Sequence, residues 1–265
     1  MGEQPGGRKA ILYIETNDVG VISLNRPEQL NTFRRQDYEA LLAQIVAVRG
    51  SSIRALVITA TGRAFSAGQD LGELNADKLA DGAEQALILQ TLQDITASLV
   101  ALDIPTIAAF NGFAVGAGLE ISLACDFRIA VEESYFMFAE AKRGLFPTNG
   151  VLWLLPRLVG LAHAREMLLS GRKFDAQYAF RIGLLNDVVP ATDLAARAMA
   201  LASELAENAP STMAGIKAQL RDTFDVSLDE MLKREVEQNR AITGGADFSE
   251  GVSSFLEKRK PNFRR

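Results

Sequence analysis

From Ile11 to about residue 140, short apolar runs of strand length alternate with segments of helical period. That order constrains the fold more than any other feature, because strands separated by helices build a sheet with helices packed on it. Ile11 to Thr16 and Val19 to Asn25 read as a hairpin turning at Asn17-Asp18, and Arg26-Pro27 ends its second strand. Gln36 to Val48 carries Leu41, Leu42, Ile45, Val46 and Val48 at amphipathic spacing. Arg54 to Ala60 reads as a buried strand, and the Gly/Ala/Ser-rich stretch Thr61 to Asp70 as a loop. Ala83 to Leu102 predicts a helix with an apolar stripe of Leu87, Leu89, Leu92, Ile95, Leu99 and Leu102. Ile104 to Phe110, Phe127 to Val131 and Tyr135 to Phe138 predict further strands.

Beyond Gly150 the pattern becomes helical. Helices are expected over Leu152–Leu158, Ala162–Leu169, Ala176–Arg181, Leu194–Glu207, Ser211–Phe224 and Leu228–Ile242, with Leu184–Val189 strand-like. Pro190 and Pro210 act as boundaries between elements.

Several function classes are excluded early. A formal charge of −5 argues against a nucleic-acid binder that works by phosphate neutralisation. One cysteine, Cys125, forbids an internal disulfide, and its apolar surroundings mark a core residue. One histidine, His163, on a polar helix, demotes a Ser-His-Asp hydrolase, and with one His and one Cys no metal centre of those residues is expected. The first ten residues lack an apolar leader core, and no apolar run reaches the ~18 residues of a membrane span, so a cytoplasmic protein free of the membrane is expected.

What remains is carboxylate and backbone chemistry. The strand-like run to Phe110 feeds Asn111-Gly112-Phe113-Ala114-Val115-Gly116-Ala117-Gly118-Leu119-Glu120, a small-residue turn opening a helix. Its bare N–H groups and positive dipole end favour an anion, one turn from the carboxylate of Glu120. Glu140 ends a second apolar run, and a carboxylate beside apolar surface tends toward a raised pKa suited to proton transfer. The loop Arg63 to Asp70 is either a tight crossover with Asp70 capping the next helix, or a second source of N–H groups aimed at a bound oxygen.

In order and spacing, several fragments resemble the crotonase superfamily, the enoyl-CoA hydratase and isomerase group. They are Leu24-Asn25-Arg26-Pro27 with Leu30-Asn31, Ala64 to Leu71, Asn111 to Asp126, Pro156 to Gly160, Leu169-Ser170-Gly171, Ala179 to Asn186 and Phe255 to Lys260. The resemblance implies an α/β spiral of repeated β-β-α units over residues 1–190, with a helical C-terminal trimerisation region over 191–265. It implies an oxyanion hole from the backbone N–H groups of Ser66 and Ala117, and CoA contacts at Ala64, Ser66, Ala67, Gly68, Gln69, Gly116 and Ala117. Phe255 and Lys258 would touch CoA across a subunit contact in a homotrimer or homohexamer. Glu120 and Glu140 match the hydratase pair that holds a water, so an acyl-CoA thioester is the implied substrate, with CoA part of it and no separate cofactor.

Two departures stand out. Hydratases usually carry Pro-Gly-x-Gly-Gly where this chain has Pro147-Thr148-Asn149-Gly150-Val151, which sets Thr148 and Asn149 beside the implied acyl pocket. Ala117 replaces a common glycine, and Trp153 follows as helix packing or as an acyl platform. Hydration of a 2-enoyl-CoA is the leading expectation. The alternatives are isomerisation or specialised hydration of an aromatic or branched acyl-CoA, and a non-catalytic acyl-CoA-binding protein.

Overall fold

The structure is a computed structural model describing residues 9–70, 72 and 83–263. The hairpin forms as expected: β1 (Ile11–Thr16) pairs antiparallel with β2 (Val19–Leu24), and Asn17 and Asp18 both turn at positive φ, as a two-residue hairpin loop requires. Then come α1 (Arg35–Arg49), β3 (Ala55–Ala60), β4 (Ala64–Ser66), α2 (Ala83–Val100), β5 (Thr106–Phe110), β6 (Phe113–Val115) and α3 (Ala117–Ser122). β7 (Phe127–Val131), β8 (Tyr135–Met137), a 3-10 turn at Glu140–Arg143, α4 (Val151–Ser170), β9 (Phe174–Asp175), α5 (Ala176–Arg181) and β10 (Asp187–Val189) follow. The described chain closes with α6 (Leu194–Ala206), α7 (Pro210–Arg221), α8 (Leu228–Ile242) and α9 (Ala246–Leu256).

Two sheets explain the repeat. One runs β1-β2-β3-β5-β7-β10, parallel after its opening hairpin, and the other runs β4-β6-β8-β9. Each turn of chain gives one strand to each sheet before a helix: β3 and β4, then β5 and β6, then β7 and β8. This is the β-β-α spiral expected. The long strands read as unbroken apolar runs because both faces are covered. Leu56, Ile58, Ala108, Phe110 and Ala130 enter one core, whereas Ala55, Val57, Ile107, Ala109, Ile129 and Val131 enter another.

Several sequence expectations shift. β4 and β6 are three-residue strands in stretches that read as a loop and a turn, and β9 is a two-residue strand where no element was expected. α2 buries Ile88, Leu92, Ile95 and Leu99, with Leu102 beyond its end also buried. Leu87 is 53% exposed, because the stripe starts one residue later. The two helices expected across 152–169 do form, as the two halves of α4, separated at Gly160, whose φ of 76° and ψ of 157° are not helical. α9 was not anticipated. α6, expected in the helical C-terminal part, lies on the main sheet, where Leu194, Ala198, Ala202 and Ala206 form one side of the second core. Lys217 of α7 ties that next helix to the segments leading into β5 and β7 by donating to the Ile104 carbonyl (2.8 Å) and to the Asp126 carboxylate. Among the described residues no helix is long and apolar enough to cross a membrane.

Candidate active site

The parallel strands of the smaller sheet deliver two glycine turns to the same place. A Cβ on Gly68 would lie 2.8 Å from the Val115 carbonyl and 3.5 Å from the Ala117 nitrogen, so the loop after β4 sits directly on the start of α3. Gly68 (φ 90°) and Gly116 (φ 52°) both occupy the region closed to most side chains, and this contact explains why. Asn31 holds the first loop in place: its Nδ2 donates to the Thr61 and Ala64 carbonyls (2.8 and 2.9 Å), and its Oδ1 accepts from the Arg26 N–H.

Between these turns and the 3-10 turn lies a cavity of about 280 Å³. Ala67, Gly68, Gln69, Gly116, Ala117, Glu120, Glu140 and Thr148 line it, with Leu89 and Leu92 of α2 as an apolar wall and Arg143, Leu145 and Phe146 at its mouth. A larger cavity of about 500 Å³ lies near Arg54, Ile104 and Met213, and it contains neither glutamate nor either glycine turn. We place the chemistry in the smaller one, because that is where carboxylates and bare amides converge.

Glu120 is buried on α3, and burial pushes its carboxyl up to about 8. The charge of Glu140 adds to that rise, while the Thr148 backbone amide opposes it. Glu140 is likewise raised by burial, with its own backbone N–H opposing. Its Oε1 lies 2.9 Å from where a Cβ on Gly116 would be, and its Oε2 is buried without a hydrogen-bond partner among the described residues. Two carboxylates, both biased toward the neutral form, thus face one cavity from separate elements.

The expected pair of amide donors is altered by geometry. Ala117 opens α3, so its N–H has no acceptor within the helix. Ser66, however, is fully buried in β4 opposite Ala114 and is not part of the cavity wall. Its hydroxyl donates to the Asn31 carbonyl (2.8 Å) and accepts from the Gly68 N–H (3.1 Å). The Ala67 N–H donates to the Leu30 carbonyl at 2.9 Å. Gln69 is different. The Gly68 carbonyl accepts from the Phe33 N–H (2.8 Å) and the Asp70 N–H donates to the Phe33 carbonyl (2.9 Å), so both neighbours of Gln69 face Phe33. In a trans peptide the N–H points opposite to the carbonyl of the same unit, so the Gln69 N–H turns the other way. Sequence reading missed this donor, although the glycine before it was the available signal.

The other expected residues fall as follows. Ala64 supports the loop from behind through its carbonyl. Thr148 is on the cavity wall, whereas Asn149 is buried behind it against Thr96. Phe255 is 82% exposed near the end of α9 and Lys258 follows that helix, both outside the cavity of their own chain. Trp153 lies outside it too, with the Arg157 guanidinium 3.7 Å above its ring. His163 pairs with the Tyr178 hydroxyl (3.1 Å) and does not line the cavity. The thiol of buried Cys125 is pushed up to about 12, which removes it as a nucleophile. Asp70 accepts from the Gly72 N–H at 3.1 Å, and Leu71 and the helix Asp70 was expected to cap lie outside the described residues.

Comparison with known proteins agrees with this architecture. The family model for enoyl-CoA hydratase/isomerase matches residues 15–265. A Rhodobacter capsulatus protein named "Probable enoyl-CoA hydratase" is 36% identical over 258 residues, covering 96% of this chain and 97% of its own. The 1,2-epoxyphenylacetyl-CoA isomerase of Escherichia coli is also 36% identical, over 247 residues, covering 92% and 94%. The crystal structure of an enoyl-CoA hydratase from Bacillus anthracis superposes with a TM-score of 0.90 at 32% identity, covering 97% of this chain and 99% of that one. A family match over residues 15–265 and a shared spiral together make this chain a member of the enoyl-CoA hydratase/isomerase family, within the crotonase superfamily.

Proposed function

We propose that this chain is a 2-enoyl-CoA hydratase, adding water reversibly to the double bond of a 2-enoyl-CoA thioester to give a 3-hydroxyacyl-CoA. The observation that carries the reading is the convergence of Glu120 and Glu140 on one cavity beside the bare amide of Ala117. The thioester oxygen accepts from the Ala117 and Gln69 N–H groups, aided by the positive end of α3. A water lies between the two carboxyl groups, one protonated and the other ionised in the reacting form. The ionised carboxylate takes a proton from the water as its oxygen bonds to the β-carbon. The double-bond electrons pass to the thioester oxygen as an enolate, and the protonated partner delivers its proton to the α-carbon. CoA enters as part of the substrate along Ala67 to Gln69, so the reaction needs no separate cofactor.

With crotonyl-CoA, the absorbance of the conjugated thioester falls as water adds. Glu140→Gln slows this by about 10²–10⁴-fold, and the rate falls as pH rises through about 8, where the donated proton is lost. Full activity in the Glu120→Gln/Glu140→Gln double variant would overturn the mechanism.

A second reading keeps the site and changes the reaction to double-bond isomerisation, or to hydration of an aromatic or branched acyl group. It is favoured by the Thr148 side chain at the cavity and by equal identity, 36%, to a protein named an isomerase. A 3-enoyl-CoA turned over faster than any 2-enoyl-CoA would select it. Binding of CoA without turnover of any substrate would instead select the non-catalytic alternative.

We further propose that the chain works as a homotrimer or homohexamer. α8 buries no residue within its own chain, although Leu228, Leu232 and Val236 recur every fourth residue and are 73%, 50% and 52% exposed. Such a stripe fits another copy of this chain, and a neighbouring copy would bring Phe255 and Lys258 toward the CoA.

A further inference from the structure

Asn149 occupies a costly position. It is 1% exposed, adopts a φ of 58°, and its Nδ2 is buried without a hydrogen-bond partner among the described residues. Asparagine is among the few non-glycine residues that tolerate this backbone region, so the turn Asn149-Gly150 forms without strain elsewhere. A glycine would serve the backbone equally well and would leave no orphaned amide. The side chain is retained for its other end: Oδ1 accepts from the Thr96 hydroxyl on α2.

That bridge joins two parts of the site. Thr96 lies one helical turn beyond Leu92, which with Leu89 forms the apolar wall of the cavity. Asn149 directly follows Thr148, which lies on the same cavity wall as Glu120 and whose backbone amide opposes the rise in that carboxyl's pKa. On its other side the loop is fixed by the start of α4, where the Val151 N–H donates to the Thr148 carbonyl (3.1 Å) and the Leu154 N–H to the Gly150 carbonyl (2.8 Å). The Thr96–Asn149 contact is the link that ties this loop to the cavity wall.

We infer that Asn149, through its hydrogen bond to Thr96, is a positioning residue that holds the Thr148 backbone at the cavity wall beside Glu120. The inference rests on the hydratase reading only for its kinetic arm. Removing the bridge frees the loop, and the ionised form of Glu120 loses the nearby Thr148 amide that favours it. The groups facing Glu120 from other elements, Glu140 on the 3-10 turn and Tyr38 on α1, are untouched by the changes below.

The test is Thr96→Val, nearly isosteric and unable to donate, with Asn149→Gly as the second removal and Thr96→Ser as the conservative rescue. In turnover of a 2-enoyl-CoA, both removals are expected to lower kcat about tenfold with KM changed less than about twofold, and to move the alkaline limb upward. Thr96→Ser restores both. A kcat loss with an unmoved limb would overturn the inference, as would wild-type kinetics in Thr96→Val. The second arm needs no substrate. Unfolding free energy measured against pH should continue falling to a higher pH in Thr96→Val than in the wild type, and this difference should vanish in a Glu120→Gln background. A difference that persists without Glu120 would overturn the positioning role. If no enoyl-CoA is turned over, the hydratase reading fails while this second arm still decides the inference.

Discussion

At the residue scale the site is defined by a carboxylate kept where its charge is disfavoured. Burial holds Glu120 near 8 instead of the usual carboxylate range, with Glu140 adding to the effect. The consequence for stability has a definite sign. Between the unfolded value near 4.5 and the folded value near 8 the native state binds the proton more tightly, so stability declines as pH rises across that window. Glu120→Gln cannot ionise. It is expected to unfold at higher denaturant than the wild type at pH 8.5, by about 2–4 kcal/mol, with little difference at pH 4.5. A gain independent of pH would mean that charge burial is not the cause. The same logic makes the cost functional: a carboxyl that titrates near neutrality can donate and accept protons in one cycle.

At the element scale the decisive contact is between β4 and α3. A Cβ on Gly118 would stand 2.4 Å from Ser66 Cβ, which the backbone fixes, and 2.7 Å from its Oγ, which hydrogen bonds to Asn31 and Gly68 hold. Gly118→Ala must push α3 off β4, separating the Ala117 amide from the loop that carries Gln69. A loss of about 1–3 kcal/mol in chemical denaturation is expected, together with a fall in kcat larger than the fall in stability explains. Unchanged stability would show that the two elements have slack. Short strands such as β4 and β6 were read as a loop and a turn because three residues carry no resolvable period. The glycines that disguise them are present because the two elements approach so closely.

At the scale of the whole molecule, the spiral buries its catalytic half and leaves its C-terminal helices with apolar faces uncovered. Besides the α8 stripe, Leu220 is 63% and Phe224 69% exposed on and just after α7. Sedimentation of the purified chain is expected to give three or six copies, and Leu232→Asp to shift it toward one. A wild-type monomer at micromolar concentration would remove the proposal that Phe255 and Lys258 act across a subunit contact. The described residues that line the cavity within one chain run from Ala67 to Thr148.

The sequence by itself determined the order of strands and helices and the chemical types available to the site. Hydrophobic period reports which segments have one or two buried faces, and a chain with one histidine and one cysteine leaves carboxylates and amides as its reactive groups. Glu120 and Glu140 were legible for that reason. The tertiary structure alone decided which amide turns to the cavity and what Asn149 does. Ser66 and Gln69 are equally plausible donors in a string of small residues. They are separated by the orientation of one peptide plane, which Phe33 fixes from α1's leading loop. Asn149 reads as a side chain at a glycine position, and its partner Thr96 lies 53 residues away on a helix whose register had first to be set by the core. Both outcomes depend on long-range pairing, and local pattern carries no record of it.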